Sequence, residues 1–295
     1  MSSLAVPIAI EARDVSFAYP GGIAALADVS FRAREGELVA VLGANGSGKT
    51  TLLKVLMRLL HPQCGDVRLA AVDVRQLSAA ELYSRVGMVF QNPADQLFGT
   101  TVREDVAFGP RNLGLPEAEV TARVEQSLAA VGAGDLVERP IHHLSFGQQK
   151  RVCLAGLLAM QPAVLLLDEP TAGLDPSGEA QMIDLLLDLN RRRKTTLIVA
   201  THAVDSLPVL ADRICVLSQG RVWQEGAPRE IFRDPQHIAQ AGLRSPVVTQ
   251  LFQRLPDGQS LAVDHLPLTL NEAQQQILRW LAERQAPCAP AGDRP

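Results

Sequence analysis

The chain has 295 residues, 47% of them hydrophobic, which is sufficient for one large globular domain or two ordinary ones. Its formal net charge of -4 argues against a broad nucleic-acid-binding surface, and we predict no nucleic-acid partner. The one dense basic run, Arg191 to Lys194, is interpreted as the solvated end of a helix. The four cysteines include no C-x-x-C pair, so neither a zinc site nor a disulfide framework is indicated.

The sequence predicts neither a targeting signal nor a membrane span. The N-terminus lacks a basic leader, and Pro7 interrupts its short apolar run. The longest uncharged stretch, Val152 to Leu167, is shorter than a spanning helix requires and is interrupted by Gln161 and Pro162. If the protein acts at a membrane, we therefore expect it to do so through a partner protein.

The first strands are predicted to form a small antiparallel unit. Apolar and polar residues alternate in RDVSFAY and ALADVSFRA with the period of half-buried strands, and Pro20 to Gly22 separate the two segments as a turn. From Leu38 the pattern changes to the short apolar runs LVAVLG, AVLLLD and TTLIVA, which are typical of buried parallel strands in an α/β sheet. Between the first two runs lies a mostly helical insert, in which valines and a leucine recur at helical spacing: Val120, Val124, Leu128 and Val131.

A hairpin-like segment, ICVLSQGRVWQEG, follows, and after it the chain no longer alternates apolar strands with helical segments. This last part of the chain contains two predicted amphipathic helices, within PVVTQLFQRL and LNEAQQQILRWLAERQ. The Pro/Ala-rich end that follows is predicted to be a disordered tail.

The segment GANGSGKT, Gly43 to Thr50, fits the phosphate-loop pattern G-x-x-x-x-G-K-S/T. It follows an apolar strand and precedes a helix in which leucines are predicted to form one buried stripe: Leu52, Leu53, Leu56, Leu59 and Leu60. Glycines let successive backbone N–H groups converge on phosphate oxygens, Lys49 adds a positive charge, and Thr50 offers a hydroxyl to Mg²⁺. Because a strand precedes this motif and a helix follows it, the motif predicts nucleotide binding.

Two adjacent carboxylates, Asp168 and Glu169, end the buried run AVLLLD. Neighbouring strand residues point in opposite directions, so the two acids can take different tasks. Asp168 is predicted to hold Mg²⁺, and Glu169 to orient or deprotonate an attacking water. A second candidate anion site lies at the start of another predicted helix, where Ser145 to Gln148 form part of HHLSFGQQKR.

These motifs together resemble the ATP-binding subunits of ABC transporters over roughly Ile8 to Glu225. LSFGQ is similar to the ABC signature, DEPTAGLD to the joined Walker B motif and D-loop, Gln91 to the Q-loop glutamine and His202 to the switch histidine. Tyr19 matches the aromatic residue that stacks on adenine in this family. The resemblance implies an α/β P-loop NTPase with a RecA-like parallel sheet core, an N-terminal antiparallel β subdomain, a helical ABC subdomain and a small C-terminal helical extension.

The same resemblance implies an ATP site with Mg²⁺ as cofactor. Glu169, His202 and Gln91 would be catalytic, and Thr50, Gln91 and Asp168 would hold the metal. The nucleotide would be bound by Tyr19, Gly43, Asn45, Gly46, Ser47, Gly48, Lys49, Thr50, Thr51, Ser145, Gly147, Gln148 and Asp175. The predicted domains are an ABC-type unit at residues 1–225, with its helical subdomain at about 92–160, and a C-terminal extension at 226–295.

In this family two ATP-binding domains pack head to tail, so that the signature of one covers the nucleotide of the other. Ser145, Gly147 and Gln148 are therefore expected to act on a nucleotide held by a second copy, in a homodimer, with Asp175 communicating between the two sites. Phe146 departs from the family, which usually has a glycine there, and we expect its ring to point away from the nucleotide.

A finer resemblance lies in the segment from Phe90 to Leu115, which is similar to energy-coupling-factor importers and most of all to their cobalt/nickel (CbiO-type) branch. It implies a peripheral ATPase at the cytoplasmic face of the cell membrane, with an integral membrane scaffold and a substrate-capture subunit as partners. Importers of vitamins use closely related ATPases, so a vitamin remains the alternative solute. A non-transport ABC ATPase is disfavoured because the chain has one cassette without a coiled-coil or zinc insertion. A non-hydrolysing sensor is disfavoured by the intact motif residues Lys49, Asp168, Glu169 and His202.

Overall fold

The computed structural model describes residues 6–254 and 266–285. Their strands are β1 (Ile8–Tyr19), β2 (Ile23–Arg34), β3 (Leu38–Leu42), β4 (Cys64–Leu69), β5 (Val72–Asp73), β6 (Val86–Val89), β7 (Val164–Asp168), β8 (Thr196–Thr201), β9 (Arg213–Ser218) and β10 (Arg221–Gly226). Their α-helices are α1 (Lys49–Leu56), α2 (Ala79–Arg85), α3 (Val102–Asn112), α4 (Glu117–Ala130), α5 (Phe146–Leu158), α6 (Pro176–Arg191), α7 (Leu207–Leu210), α8 (Pro228–Ile231), α9 (Pro235–Gln240), α10 (Val247–Gln253) and α11 (Leu270–Gln285).

The first sheet is antiparallel, with the strand order β2-β1-β4-β5. A tight turn joins β1 to β2, and in it the Gly22 amide donates a hydrogen bond to the Tyr19 carbonyl over 3.1 Å. Alternate residues of β2 are buried from Val29 to Ala33, as expected for strands with one face on the core. The predicted N-terminal antiparallel subdomain is confirmed, and β4 and β5 extend it.

The second sheet has the order β10-β9-β3-β8-β7-β6, and all neighbouring pairs are parallel except β9 and β10. Every residue of β3, β7 and β8 is buried, which explains why these strands are apolar except at their ends and do not alternate. Helix α1 lies between the two sheets and packs against both. The predicted α/β fold class with a parallel core is confirmed.

Helix α1 is shorter than the sequence pattern suggested. It ends at Leu56, and Arg58 takes the left-handed conformation with φ of 57° while its guanidinium donates to two carbonyls, those of Val74 and Leu77. The prediction that Leu59 belongs to the buried stripe is wrong, because Leu59 lies beyond the helix and is exposed.

The helical insert consists mainly of α3, α4 and α5, which pack on one another between β6 and β7. Helix α3 begins with a capping box between Thr101 and Glu104, and α5 with one between Ser145 and Gln148. These reciprocal hydrogen bonds satisfy amides that no helical carbonyl can reach, so they fix where each helix begins. Both helix starts therefore have a local cause in the sequence.

The C-terminal extension packs against the parallel sheet. Helices α10 and α11 confirm that the two predicted segments are helical, although several of their apolar residues are exposed, while the short helices α8 and α9 were not predicted. Phe232, after α8, is fully buried in the cluster that contains Leu38 and Leu197 of the sheet. The domain division at residue 225 stays a prediction, and the predicted disordered tail and Cys288 lie outside the described residues.

Within residues 6–254 and 266–285, no helix combines the length and the apolar composition needed to cross a membrane.

Replacing Phe232 by alanine should lower the free energy of unfolding by about 3–5 kcal/mol, because it removes a fully buried ring and leaves a cavity in the main core. Urea denaturation of the whole chain measures this loss. Val247→Ala, at an exposed position of α10, is the matched control. For it we expect the free energy of unfolding to change by less than about 0.5 kcal/mol. Equal stability of the two variants would contradict the packing of the extension into the core.

Candidate functional site

The parallel register brings the predicted catalytic segments to one edge of the sheet. Leu42, the last residue of β3, pairs with Thr201 of β8, and Asp168 of β7 pairs with Ala200 of the same strand. The loops that follow these strands therefore begin side by side at the carboxyl edge, which is where ligands bind in open α/β sheets. Gln91, just past the end of β6, lies at this edge as well.

The phosphate loop connects β3 to α1 and is tightly folded. Gly48, the residue before α1, has φ of 104°, and a side chain there would come within 2.5 Å of the Ala25 carbonyl oxygen. Only glycine fits that backbone geometry. The Ser47 hydroxyl is buried without a hydrogen-bond partner among the described residues, as expected for a group that meets a bound anion.

Lys49, the first residue of α1, lies at the centre of this loop. Its ammonium donates hydrogen bonds to the carbonyls of Gly43, over 2.7 Å, and Ala44, over 3.2 Å. Glu169 Oε1 lies 3.9 Å from the same nitrogen. Burial lowers the pKa of Lys49, and the nearby carboxylates of Glu169 and Asp168 oppose that shift. The side chain is a buried positive charge held by the carbonyls of the phosphate loop.

Asp168 is bound to the start of α1. The Thr50 hydroxyl donates to Asp168 Oδ2 over 2.7 Å, while Oδ1 is buried without a partner among the described residues. Burial raises the pKa of Asp168, and the hydrogen bond from Thr50 lowers it. An unpartnered buried carboxylate oxygen beside a hydroxyl is a donor set suited to a hard cation such as Mg²⁺.

Glu169 faces a different set of partners from Asp168. Its Oε1 lies 2.7 Å from Nδ1 of His202, and its Oε2 accepts a hydrogen bond from the Thr201 hydroxyl over 3.0 Å. The strand ends at Asp168, and Glu169 has a left-handed backbone with φ of 48°. The two adjacent acids thus point to different partners, and Glu169 is brought next to the predicted switch histidine.

Tyr19 and Gln91 flank this centre. The Tyr19 hydroxyl lies 3.2 Å from the Thr51 hydroxyl in α1, and its ring packs edge-on against Phe17. Gln91 is exposed at the end of β6, two residues beyond Val89. The structure therefore brings Tyr19 to the phosphate-loop helix and leaves the Gln91 side chain open to solvent.

The signature residues lie elsewhere. Ser145, Gly147, Gln148 and Asp175 line one groove of about 970 Å³ between the start of α5 and helix α6. No residue of the phosphate loop lines this groove in the described chain. Ser145 and Asp175 are helix N-caps, whose side chains accept the amides of Gln148 and Gly178. Within one chain, these two predicted parts of the nucleotide site are not brought together.

Two buried polar residues next to Glu169 were not predicted. Thr201 donates to Glu169, and it could have been recognised because it is a polar residue that ends a buried strand directly before His202. Lys150 of α5 donates to backbone carbonyls of the loop after β7, and burial lowers its pKa to about 8. A lysine among the buried residues of a helix is the signal for such a role, since lysine is almost never fully buried unless it is paired.

Comparisons with known proteins agree with this geometry. The protein-family model for ABC transporter domains matches residues 26–172. The energy-coupling factor transporter ATP-binding protein EcfA of Methanocaldococcus jannaschii is 44% identical over 277 residues, which cover 93% of this chain and 99% of that protein.

Solved structures extend the similarity to three dimensions. The structure of cbiO1 from Clostridium perfringens, part of the ABC transporter complex cbiONQ, matches with a TM-score of 0.72 and 37% identity, over 84% of this chain and 99% of that chain. A dimeric ATP-binding cassette in a post-hydrolysis state, bound to ADP and Pi, matches with a TM-score of 0.68 and 29% identity, over 75% of this chain and 99% of that chain.

The family resemblance inferred from the motifs is thereby confirmed. The phosphate loop, the two carboxylates and the histidine lie together at one edge of the sheet, and the relatives match over nearly their whole length. The chain therefore belongs to the ABC transporter family, as an ATP-binding subunit of the energy-coupling factor type, and it is an ATPase.

Proposed function

We propose that this ATPase powers the import of a small solute, a cobalt or nickel ion, through an energy-coupling-factor membrane complex. It would work as a peripheral subunit at the cytoplasmic face of the membrane, with a membrane scaffold and a substrate-capture subunit. The similarity of Phe90 to Leu115 to the cobalt/nickel branch supports this choice, together with the likeness to cbiO1. A vitamin importer is the alternative, because its ATPase would be nearly the same.

The division of labour between Asp168 and Glu169 is the observation that carries the hydrolytic mechanism. Thr50 and Asp168 would hold Mg²⁺, since Asp168 keeps one buried oxygen free beside the Thr50 hydroxyl, and Gln91 would approach from the neighbouring strand end. The bound metal would neutralise charge on the phosphates. Lys49 and the loop amides would hold the phosphate oxygens, while Tyr19 would stack on the adenine.

Glu169 is proposed to act as the general base. It would accept a proton from the water whose oxygen bonds to the γ-phosphorus, as the bond from that phosphorus to the β-phosphate oxygen breaks. His202 and Thr201 hold one carboxylate oxygen each, at 2.7 and 3.0 Å, so that Glu169 is oriented before the substrate arrives. The products are ADP and phosphate.

The complete site is proposed to form between two copies of the chain. The groove that contains Ser145, Gly147 and Gln148 includes no phosphate-loop residue, so within one chain the signature would contact no bound nucleotide. In a head-to-tail homodimer each groove would face the nucleotide of the other copy, and Asp175 would lie in the same interface. The dimeric cassette structure supports this arrangement.

A separate surface is proposed to receive the membrane subunit. Phe98 and Phe108 are both exposed, and their rings pack edge-on with centroids 4.6 Å apart. Asp95 is exposed on the turn just before them. We choose this aromatic pair as the docking surface because it is exposed, apolar and made of residues outside the phosphate loop.

Changing Glu169 to glutamine should preserve ATP binding and reduce turnover by roughly two or more orders of magnitude, because the amide keeps the size and cannot accept the proton. Closed dimers should accumulate with ATP. Steady-state hydrolysis and gel filtration measure the two effects, with Glu125→Gln on exposed α4 as the matched control. Normal hydrolysis by the Glu169 variant would contradict its role as the base.

Two inactive variants should restore activity when mixed, if the signature acts on the partner's nucleotide. In a mixed dimer of Lys49→Ala with Ser145→Arg, one site combines both defects and the other has an intact phosphate loop and an intact signature. Hydrolysis by differentially tagged mixed dimers tests this. Ser145→Ala controls for the lost helix cap, which is worth about 0.5–2 kcal/mol.

A second mixed dimer tests the same hypothesis, but here the expected result is an inactive dimer. In this dimer one subunit carries both Lys49→Ala and Ser145→Arg, and its partner is wild type. If the signature acts on the nucleotide of the partner, each site has one defect, and we expect an inactive dimer. Action within one chain would leave the wild-type subunit's site whole. Activity of this dimer would therefore show that the signature acts on its own chain's nucleotide.

Phe98→Glu should stop transport and leave hydrolysis by the isolated ATPase nearly unchanged, because the ring lies outside the nucleotide site. Uptake of cobalt or nickel, compared with biotin and riboflavin, measures transport and identifies the solute class. Val209→Glu, an exposed apolar residue of α7, is the matched control. Equal loss of both activities in the folded Phe98 variant would contradict a docking role.

A further inference from the structure

Lys150 of helix α5 is buried, with 2% of its surface exposed, and its ammonium points at one short loop. It donates hydrogen bonds to three backbone carbonyls, those of Glu169 over 2.7 Å, Pro170 over 3.2 Å and Ala172 over 2.8 Å. An ammonium has three donors and no acceptor, so these carbonyls use its full capacity. All three acceptors lie between β7 and α6, in the catalytic loop, by which we mean residues 169–172.

The catalytic loop has a strained backbone, and its carbonyls converge on the Lys150 ammonium. Glu169 has φ of 48°, a left-handed conformation that costs energy in any residue except glycine. Three carbonyl oxygens that converge on one buried point repel each other unless a donor lies between them. The Glu169 carbonyl also accepts the Ala172 amide over 3.2 Å, so the desolvation penalty of an unpaired carbonyl would fall on those of Pro170 and Ala172. The Lys150 ammonium is the donor to all three of these carbonyls.

Phe146 covers the next part of the same segment. It lies four residues before Lys150, so the two side chains share one face of α5. The ammonium of Lys150 lies 5.3 Å from the centre of the Phe146 ring. Gly173 has φ of 77°, and a methyl group added there would come within 2.9 Å of the ring. The aromatic ring in the signature therefore lies against the segment that leads from Glu169 to Asp175.

We infer that Lys150 is a positioning residue for catalysis: by binding the carbonyls of Glu169, Pro170 and Ala172, it holds the catalytic loop so that the Glu169 carboxylate faces His202. The inference rests on the proposed role of Glu169 as the base. Lys150 contacts the backbone of this loop and not the phosphate loop, so its contribution is to the rate of the chemical step and not to ATP binding. It also joins the signature helix to the loop that carries the catalytic carboxylate of the same chain.

Two substitutions separate hydrogen bonding from packing. Lys150→Met keeps the length of the side chain and removes every donor, and Lys150→Gln keeps two N–H donors on a shorter chain. We expect kcat to fall by roughly ten- to a hundredfold in the methionine variant, the scale of a small misplacement of a catalytic group, and less in the glutamine variant. The dissociation constant for ATP should stay within about twofold of the wild-type value, because no contact to the phosphates is lost. Lys194→Met, which removes an exposed lysine, is the matched control and should match the wild type.

A double variant distinguishes positioning from a general effect on folding. Because Lys150 acts through Glu169, Lys150→Met should not lower the residual single-turnover rate of Glu169→Gln any further. Unchanged kcat in Lys150→Met, or an equal fractional loss in the Glu169→Gln background, would overturn the inference. If Lys150→Met does not fold, Lys150→Gln is judged by the same two criteria.

The same experiment keeps this inference apart from the proposed function. Normal turnover by Glu169→Gln alone would refute the role of Glu169 as the base, and Lys150 would then lose its stated partner. A large loss in Glu169→Gln together with wild-type kcat in both Lys150 variants would refute only the role of Lys150.

Discussion

The hydrogen bond between the Thr50 hydroxyl and Asp168 is the contact on which the site depends, because it joins the phosphate-loop helix to the strand that carries the acids. It can form only because β3 and β7 both lie beside β8 in parallel register, with their carboxyl ends at one edge. A register shift would turn the Asp168 side chain to the other face of the sheet and separate it from α1. The fold therefore contributes to catalysis mainly by fixing strand ends.

Burying two acids and two lysines near one another is expensive unless each charge finds a partner. Asp168 has Thr50, Glu169 has His202 and Thr201, and both lysines donate to backbone carbonyls. Lys49 lies 3.9 Å from Glu169 Oε1, so the charges also offset one another across the site. The two acids and two lysines lie together in the region where the charge of the phosphates must be stabilised. Preorganised charges are most effective in such a region.

Local sequence patterns predicted much of this arrangement, and what they missed depends on contacts between distant segments. The strands β3, β7 and β8 could be recognised because strands buried on both faces read as runs that are apolar apart from their ends. The phosphate loop could be recognised because its geometry is local. Leu59 was placed wrongly because the apolar spacing continues past Leu56, where the left-handed backbone near Arg58 ends the helix. Lys150 was missed because its three acceptors are about twenty residues away and belong to the backbone, which has no sequence signature.

Helix α5 carries two features that point to different sites. Its first turn, with Ser145 as N-cap, opens into a groove without phosphate-loop residues, while Lys150 one turn later binds the catalytic loop of its own chain. An α-helix of this length is stiff, with neighbouring turns linked by hydrogen bonds, so a shift at its start is transmitted to Lys150. If the signature contacts a partner's nucleotide, the state of that nucleotide would act on Glu169 through a single helix. The ring of Phe146 belongs to the same connection, because it lies beside Lys150 and close to Gly173.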